Sequence, residues 1–296
     1  MDIIQEIEQY LTKGDLISAE QALNTQPDAT RNSKLYYKAL IAFKRDDYDQ
    51  AIDLIEQGLE GEGDDYRWHE LLGQALGLKA QRVGMLKGVL LIPKVKKAFQ
   101  KTIELNPAAL KAHEGLFLLY LLVPAVAGGD EQKARDMIEE IRSIDGPHGD
   151  MAAAIFQARK NDMPEALQLF KKAADSGSND AEIQMRAGCF FMEQNQFDLA
   201  KDCLDRCVAL RPDDPGGWLA LAELYLRRQE GEKALHTLNQ IIAKNENFLP
   251  ARLKRAETNA ALSHKKEALM DYEWICSNRP QSPLAAKVRE AMRKLK

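Results

Sequence analysis

Alanine stands at Ala166, Ala200, Ala234 and Ala268, each 34 residues after the last, and four positions beyond each comes a large apolar residue: Phe170, Leu204, Leu238 and Tyr272. A fixed interval of this length marks stacked supersecondary units, none of which can bury its apolar face alone. Length therefore does not set a domain count: 296 residues would suffice for two ordinary domains, but stacked copies describe them better. Toward the N-terminus the interval loosens without vanishing. Ala19 and Ala51 are 32 apart, Val95 takes the alanine place 44 residues later, Ala134 follows after 39 and Ala166 after 32. Two units thus carry insertions.

Each unit reads as two helices. In Ala181–Asp214 the first carries Ile183, Ala187, Gly188 and Phe191 near the spacing of one helical face, and the second carries Leu199, Ala200, Leu204, Cys207 and Val208. Gly188 and Ala200 are small enough to let the two helices approach closely, and Pro212 closes the second helix. The next unit repeats the plan with Trp218, Leu221, Ala222, Tyr225, Ala234, Leu238 and Ile241, and the last full unit with Leu253, Ala256, Ala260, Ala268, Tyr272 and Ile275, ending at Arg279-Pro280. Pro164, Pro215 and Pro250 fall where first helical turns are expected, where a missing N–H costs little.

These residues resemble the tetratricopeptide repeat family, whose helix-turn-helix unit carries Trp, Leu, Gly, Tyr, Ala, Phe, Ala and Pro at set places. Trp218-x-x-Leu221-Ala222-x-x-Tyr225 and Phe99 to Pro107 come nearest to that pattern, while Asp150, Gln184 and Arg252 occupy the Trp place and Ser178 and Glu246 the Pro place. The resemblance implies an all-α fold, a right-handed superhelical solenoid of about eight helix-turn-helix repeats. It would be a single solenoid over residues 1–296, with less regular repeats in 1–146, regular ones in 147–282 and a capping helix in 283–296. Lys287, Arg289, Arg293, Lys294 and Lys296 suit the C-terminal end of that last helix.

The first insertion lies in residues 77–97, where Val83, Leu86, Leu90 and Met85, Val89, Ile92 form two apolar stripes at helical spacing. Between Glu70 and Glu104 there is no acidic residue, against seven basic ones: Lys79, Arg82, Lys87, Lys94, Lys96, Lys97 and Lys101. The favoured expectation is a lengthened helix whose stripes pack on neighbouring repeats while the lysines are solvated. The competing one is an interfacial contact with anionic lipid or an acidic partner, which would make the chain a peripheral membrane or envelope assembly factor using residues 79–101. The second insertion spans Leu121 to Asp130. Together the two resemble a bacterial subgroup of these repeat proteins with an extended third repeat and a Pro-x-x-x-Gly-Gly loop, here Pro124 to Gly129. Gly128-Gly129 before a helix could cradle an anion, but Asp130 reads better as an N-cap.

Composition narrows the function classes. A net charge of −4 gives no whole-molecule attraction to nucleic acid, so no nucleic-acid partner is expected. The longest lipid-like run, Gly115 to Gly129, is shorter than the roughly 18 residues that a membrane span needs. The start, Met1-Asp2-Ile3-Ile4-Gln5-Glu6, lacks the basic region and apolar core of a signal peptide, so a cytoplasmic location is expected. Cys189, Cys203 and Cys207 lie in one repeat and read as reduced, packed thiols rather than a metal site. The five histidines show no ligand or triad spacing, and no nucleophile motif accompanies them. No cofactor, metal or catalytic residue is therefore expected, and the chain is read as a non-enzyme.

What the family resemblance implies instead is a protein or peptide partner, held in a concave groove lined by first helices. Carried over by register, the lining comprises Tyr36, Leu40 and Phe43 in the second unit, Met151 and Ile155 in the fifth, and Met185, Cys189 and Met192 in the sixth. Leu219 and Arg227 in the seventh and Leu253 in the eighth complete it. Tyr37 and Ala39 fall on other faces of their helix and are expected to pack. Family members that bind chaperone tails use an asparagine at the ninth place of the first helix. Leu40, Ile155, Cys189, Glu223 and Glu257 stand there instead, which argues against that ligand.

Overall fold

A computed structural model describes residues 3–25, 30–61, 65–278, 280 and 282–295, so Met1, Asp2, Arg279 and Lys296 lie outside the described residues. Those described form seventeen α-helices and one short 3-10 turn, Ala125–Ala127, with no strand among them. The helices run in pairs: α1 (Ile3–Thr12) with α2 (Leu16–Asn24), α3 (Arg31–Lys44) with α4 (Tyr48–Leu59), α5 (Tyr66–Arg82) with α6 (Met85–Leu105), and α7 (Leu110–Leu122) with α8 (Glu131–Ile144). Then come α9 (Gly146–Arg159) with α10 (Met163–Ser176), α11 (Ala181–Glu193) with α12 (Phe197–Leu210), α13 (Pro215–Arg227) with α14 (Gly231–Lys244), and α15 (Leu249–Ala261) with α16 (Lys265–Asn278). A last helix, α17 (Pro283–Leu295), packs on α16 and buries Ala285 and Val288. By its contacts the chain groups into two compact units, Met1–Leu11 with Leu16–Gly177, and Thr12–Asp15 with Ser178–Lys296.

The eight pairs can be counted from the backbone alone. Each turn within a pair holds one residue in the left-handed region: Gly14, Asp46, Gly84, Gly128, Asn161, Asn195, Gln229 and Ser263, with φ between 57° and 106°. Only such a residue reverses the chain tightly enough to lay the second helix against the first. Glycine does so freely, and the polar residues at a cost of about 1 kcal/mol or more.

Helix starts follow the same economy. Asp47, Asp65, Asp130, Asp145, Asp162, Asp180 and Asp214 are N-caps whose carboxylates accept a hydrogen bond from an N–H of the first turn, as Asp180 does from Glu182 at 2.7 Å. Pro164, Pro215 and Pro250 sit in first turns as expected.

The periodic alanines are the contact points of each pair. Ala19, Ala51, Ala134, Ala166, Ala200, Ala234 and Ala268 are fully buried, and Val95, in the alanine place of α6, nearly so. In the sixth pair a side chain added at Gly188 would come within 2.8 Å of Leu204 and 3.3 Å of the Ala200 carbonyl. Ala200→Leu should therefore overpack this contact and cost about 1–3 kcal/mol. The damage should concentrate in α11 to α14, because repeats couple mainly to neighbours. Hydrogen exchange measures this, and uniform loss of amide protection along the chain would contradict it.

Departures from the family pattern are absorbed locally. The Trp218 indole N–H donates to the Pro212 carbonyl at 2.9 Å, tying the loop between pairs. Arg252, at the equivalent place one repeat on, makes the same contact with its Nε, to the Glu246 carbonyl at 2.6 Å. His113 reaches the Pro107 carbonyl at 3.0 Å. Asp150, at another Trp place, is buried with Lys172 at 3.0 Å and Arg142 at 3.4 Å.

The first insertion departs from expectation. It lengthens both helices of the third pair, to 17 and 21 residues in α5 and α6, against 13 and 14 in α13 and α14. Ile92 packs against the core, but Met85, Leu86 and Leu90 are 85%, 87% and 75% exposed, and Val89 is exposed as well. Among the described residues no neighbour covers Met85, Leu86 and Leu90. Before them Arg82 reaches the neighbouring turn at Asp46, 3.2 Å away, and after them Ile92 lies near the turn at Gly128. In the second insertion Gly128 is left-handed, a side chain at Gly129 would strike the Val123 carbonyl, and Asp130 caps α8 by accepting from the Lys133 N–H at 3.1 Å.

Candidate partner-binding surface

Residues four and seven apart on a helix share a face, so Tyr36, Leu40 and Phe43 form one stripe along α3. All three are half-buried, each with part of its side chain against the core, while Tyr37 and Ala39 on other faces are buried. The Tyr36 ring stands edge-on to Trp68 at 5.2 Å and to Tyr37 at 5.7 Å, and the Arg67 guanidinium lies over it at 5.5 Å. Burial pushes its phenol above the usual value, with Arg67 opposing the shift. Phe43 leans on Tyr48 at 5.8 Å, and Tyr48 in turn carries Arg82 over its ring at 4.6 Å. The stripe is thus held by Trp68 and Tyr48, with part of each side chain left exposed.

On α9 the expectation divides. Ile155 is half-buried and packs on the same core cluster as the α3 stripe, but Met151 is fully buried. Met151 therefore supports the helix from inside and offers no surface to a partner, which corrects its assignment as a lining residue. Its neighbours Asp150 and Ala152 are buried too, so this part of the helix is enclosed on all sides.

The second unit presents a different chemistry. Met185 on α11 is half-buried beside Gly216, Cys189 is half-buried with its thiol pushed up by burial and by Glu193, and Met192 is buried. Leu219 packs with the core of the seventh repeat, and Leu253 with that of the eighth, both half-buried. Arg227 is exposed and pairs with Glu223 at 3.6 Å, while Glu223 also accepts from Lys254 at 2.9 Å. The Lys254 bond, then Arg227, holds the Glu223 carboxyl below its usual range. Arg186 and Glu182 pair similarly one repeat earlier.

The first-helix face is thus aromatic and aliphatic in the first unit and laced with ion pairs in the second. Trp68, Arg67 and Lys254 were missed from sequence, and Glu223 was placed on this face without its ion pairs. The 31-residue separation of Glu223 and Lys254 was the one signal for the latter pair, being close to one repeat.

Among the described residues no group of three or more His, Cys, Asp or Glu is placed to hold a metal ion. Cys203 and Cys207 are buried, and burial pushes the Cys207 thiol up to about 11, the opposite of an activated nucleophile.

Comparison with known proteins places this architecture. Residues 121–272 match the model of the ChAPs, the Chs5p-Arf1p-binding proteins, and residues 36–79 match a tetratricopeptide repeat. The chain is 24% identical over 275 residues to human superkiller complex protein 3, covering 90% of this chain and 17% of that protein. It is 30% identical over 148 residues to a Drosophila melanogaster BBSome complex member BBS4 homolog, covering 48% and 30%. It thus spans less than a third of either relative's length. Yeast Tom70 superposes with a TM-score of 0.58 at 13% identity, over 92% of this chain and 65% of that one, which is a likeness of fold.

Proposed function

Since this chain belongs to the ChAPs family and is built of tetratricopeptide repeats, we propose that it is a non-catalytic scaffold that holds a protein or peptide partner along its first helices. The family's name describes its members as binding proteins, and both curated relatives are named as parts of multi-protein complexes. The observation that carries the reading is the stripe of Tyr36, Leu40 and Phe43, three large side chains that each keep part of their surface exposed, with Tyr36 propped by Trp68 and Phe43 by Tyr48. Propped aromatics lose little freedom when a partner covers them, which suits them to anchor a helical or extended segment. Ile155 extends the apolar lining in the first unit, and Met185, Arg227 and Leu253 provide a mixed one in the second. An apolar segment suits the lining of the first unit, and a segment carrying charge suits that of the second.

The test is capture of partners from native lysate with the full chain, followed by affinity measurement for the variant carrying Tyr36→Ala and Phe43→Ala. Anchors of this kind contribute about 2 kcal/mol or more, so affinity should fall about thirtyfold. Loss of the Tyr36–Trp68 edge contact should cost stability by about 1 kcal/mol as well, so binding is compared well below both thermal midpoints. A folded variant that binds as tightly as the parent would show that the stripe is not the docking face.

A further inference from the structure

The end of the α5–α6 hairpin carries strongly exposed aliphatic side chains together with cations that have no ion pair among the described residues. Met85, Leu86 and Leu90 face solvent over most of their surface, and Val126, in the adjacent turn whose Gly128 lies against Ile92, is fully exposed. Monomeric surfaces scatter such residues singly; here Met85, Leu86 and Leu90 share the end of one hairpin. Two of the nearby cations are neutralised, Lys79 by Asp49 and Arg82 by Asp46. Among the described residues Lys87, Lys94 and Lys97 have no ion pair, and no acidic residue occurs between Glu70 and Glu104. Gly88 keeps the hairpin tight, since any side chain there would strike the Ala80 carbonyl.

We propose that this hairpin end docks the protein on an anionic lipid surface, with Met85, Leu86 and Leu90 entering the interface and Lys87, Lys94 and Lys97 meeting lipid phosphates. The spacing suits that occupant. Lys94 and Lys97 stand about one and two turns behind Leu90, about 6 and 10 Å along the helix. That is the level of the headgroups when an apolar tip is sunk about 5–10 Å. Lys87 can reach back along its own aliphatic stem. An acidic protein fits less well. Protein hot spots favour Trp, Tyr and Arg and deplete Lys, whereas residues 83–97 contain neither an aromatic nor an arginine. The contact is peripheral, because no helix among the described residues is long and apolar enough to cross a membrane.

The test is co-sedimentation of the full chain with vesicles of equal parts phosphatidylcholine and phosphatidylglycerol, and with vesicles of phosphatidylcholine alone. Binding should occur to the anionic vesicles and weaken with salt. It should fall about a hundredfold on reversing Lys87, Lys94 and Lys97 to Glu, and at least tenfold on Leu86→Ser with Leu90→Ser. All five side chains are exposed, so thermal midpoints should match the parent. No binding to anionic vesicles overturns the proposal. So does binding that survives the serine variant, which would reduce it to unspecific charge attraction. A concentration-dependent dimer abolished by the serine variant, without vesicle binding, would assign the tip to a second copy of the chain and likewise overturn it.

Discussion

Asp271→Ala should cost about 3 kcal/mol of stability, the lower end of the range for removing one partner of a buried ion pair. The Asp271 carboxylate is almost wholly buried and accepts from Arg252 at 2.9 Å and from both Nε and Nη2 of Arg255, at 2.7 and 2.8 Å. Without it two guanidiniums lose their countercharge. Each keeps a neutral contact, Arg252 with the Glu246 carbonyl and the Trp274 ring and Arg255 with Asn239, and this limits the loss. Urea unfolding gives the magnitude, and hydrogen exchange should place the lost protection in α15 to α17. Asp271→Asn keeps the shape and one acceptor and should cost less than the alanine change. A loss below about 1 kcal/mol for Asp271→Ala would mean that the pair is better solvated than its burial implies.

The second large effect is expected at Phe99. Its ring fills the room left by two glycines on flanking helices: a side chain at Gly73 of α5 would come within 2.6 Å of it, and one at Gly115 of α7 within 2.5 Å. Phe99→Ala should leave a cavity that these helices cannot close by side-chain movement, at a cost of about 3–5 kcal/mol. Gly115→Val, which drives a branched side chain into the same space, should destabilise as well. Both are read as shifts in the chemical-denaturation midpoint. An unchanged midpoint for Phe99→Ala would show that α5 and α7 are free to collapse inward.

What was legible in the sequence is what one repeat imposes on itself. A place that admits only a small side chain recurs as alanine, and all seven such alanines are buried. Prolines in first turns and Asp130 before a helix were readable because orphan N–H groups at a helix start constrain few residue types. What was not legible depends on the neighbouring repeat. The apolar residues of 85–92 specify a helix with an apolar side, but not that Val83 falls in the turn before it, nor whether a neighbour covers that side. Met151 and Ile155 have the same spacing and character, and only the packing around α9 separates the buried one from the half-buried one. Arg252 looked like a defect in the Trp place, yet it keeps the loop contact of Trp218 and adds a buried countercharge. Glu223 and Lys254 meet only because two repeats stack in register.

The left-handed turn residue within each pair bears on how such a chain can change in length. Asn161, Asn195, Gln229 and Ser263 stand 34 apart with nearly equal φ, so the stretch from one to the next is a cassette that begins and ends in the same backbone geometry. Duplicating or excising one cassette rejoins like with like, and the helices downstream keep their phase. Length can thus vary here in whole cassettes and not by single residues. Gly84 and Gly128 are 44 apart, so the stretch between them has no counterpart of equal length elsewhere in the chain, and an exchange that removed it would remove the exposed tip as well.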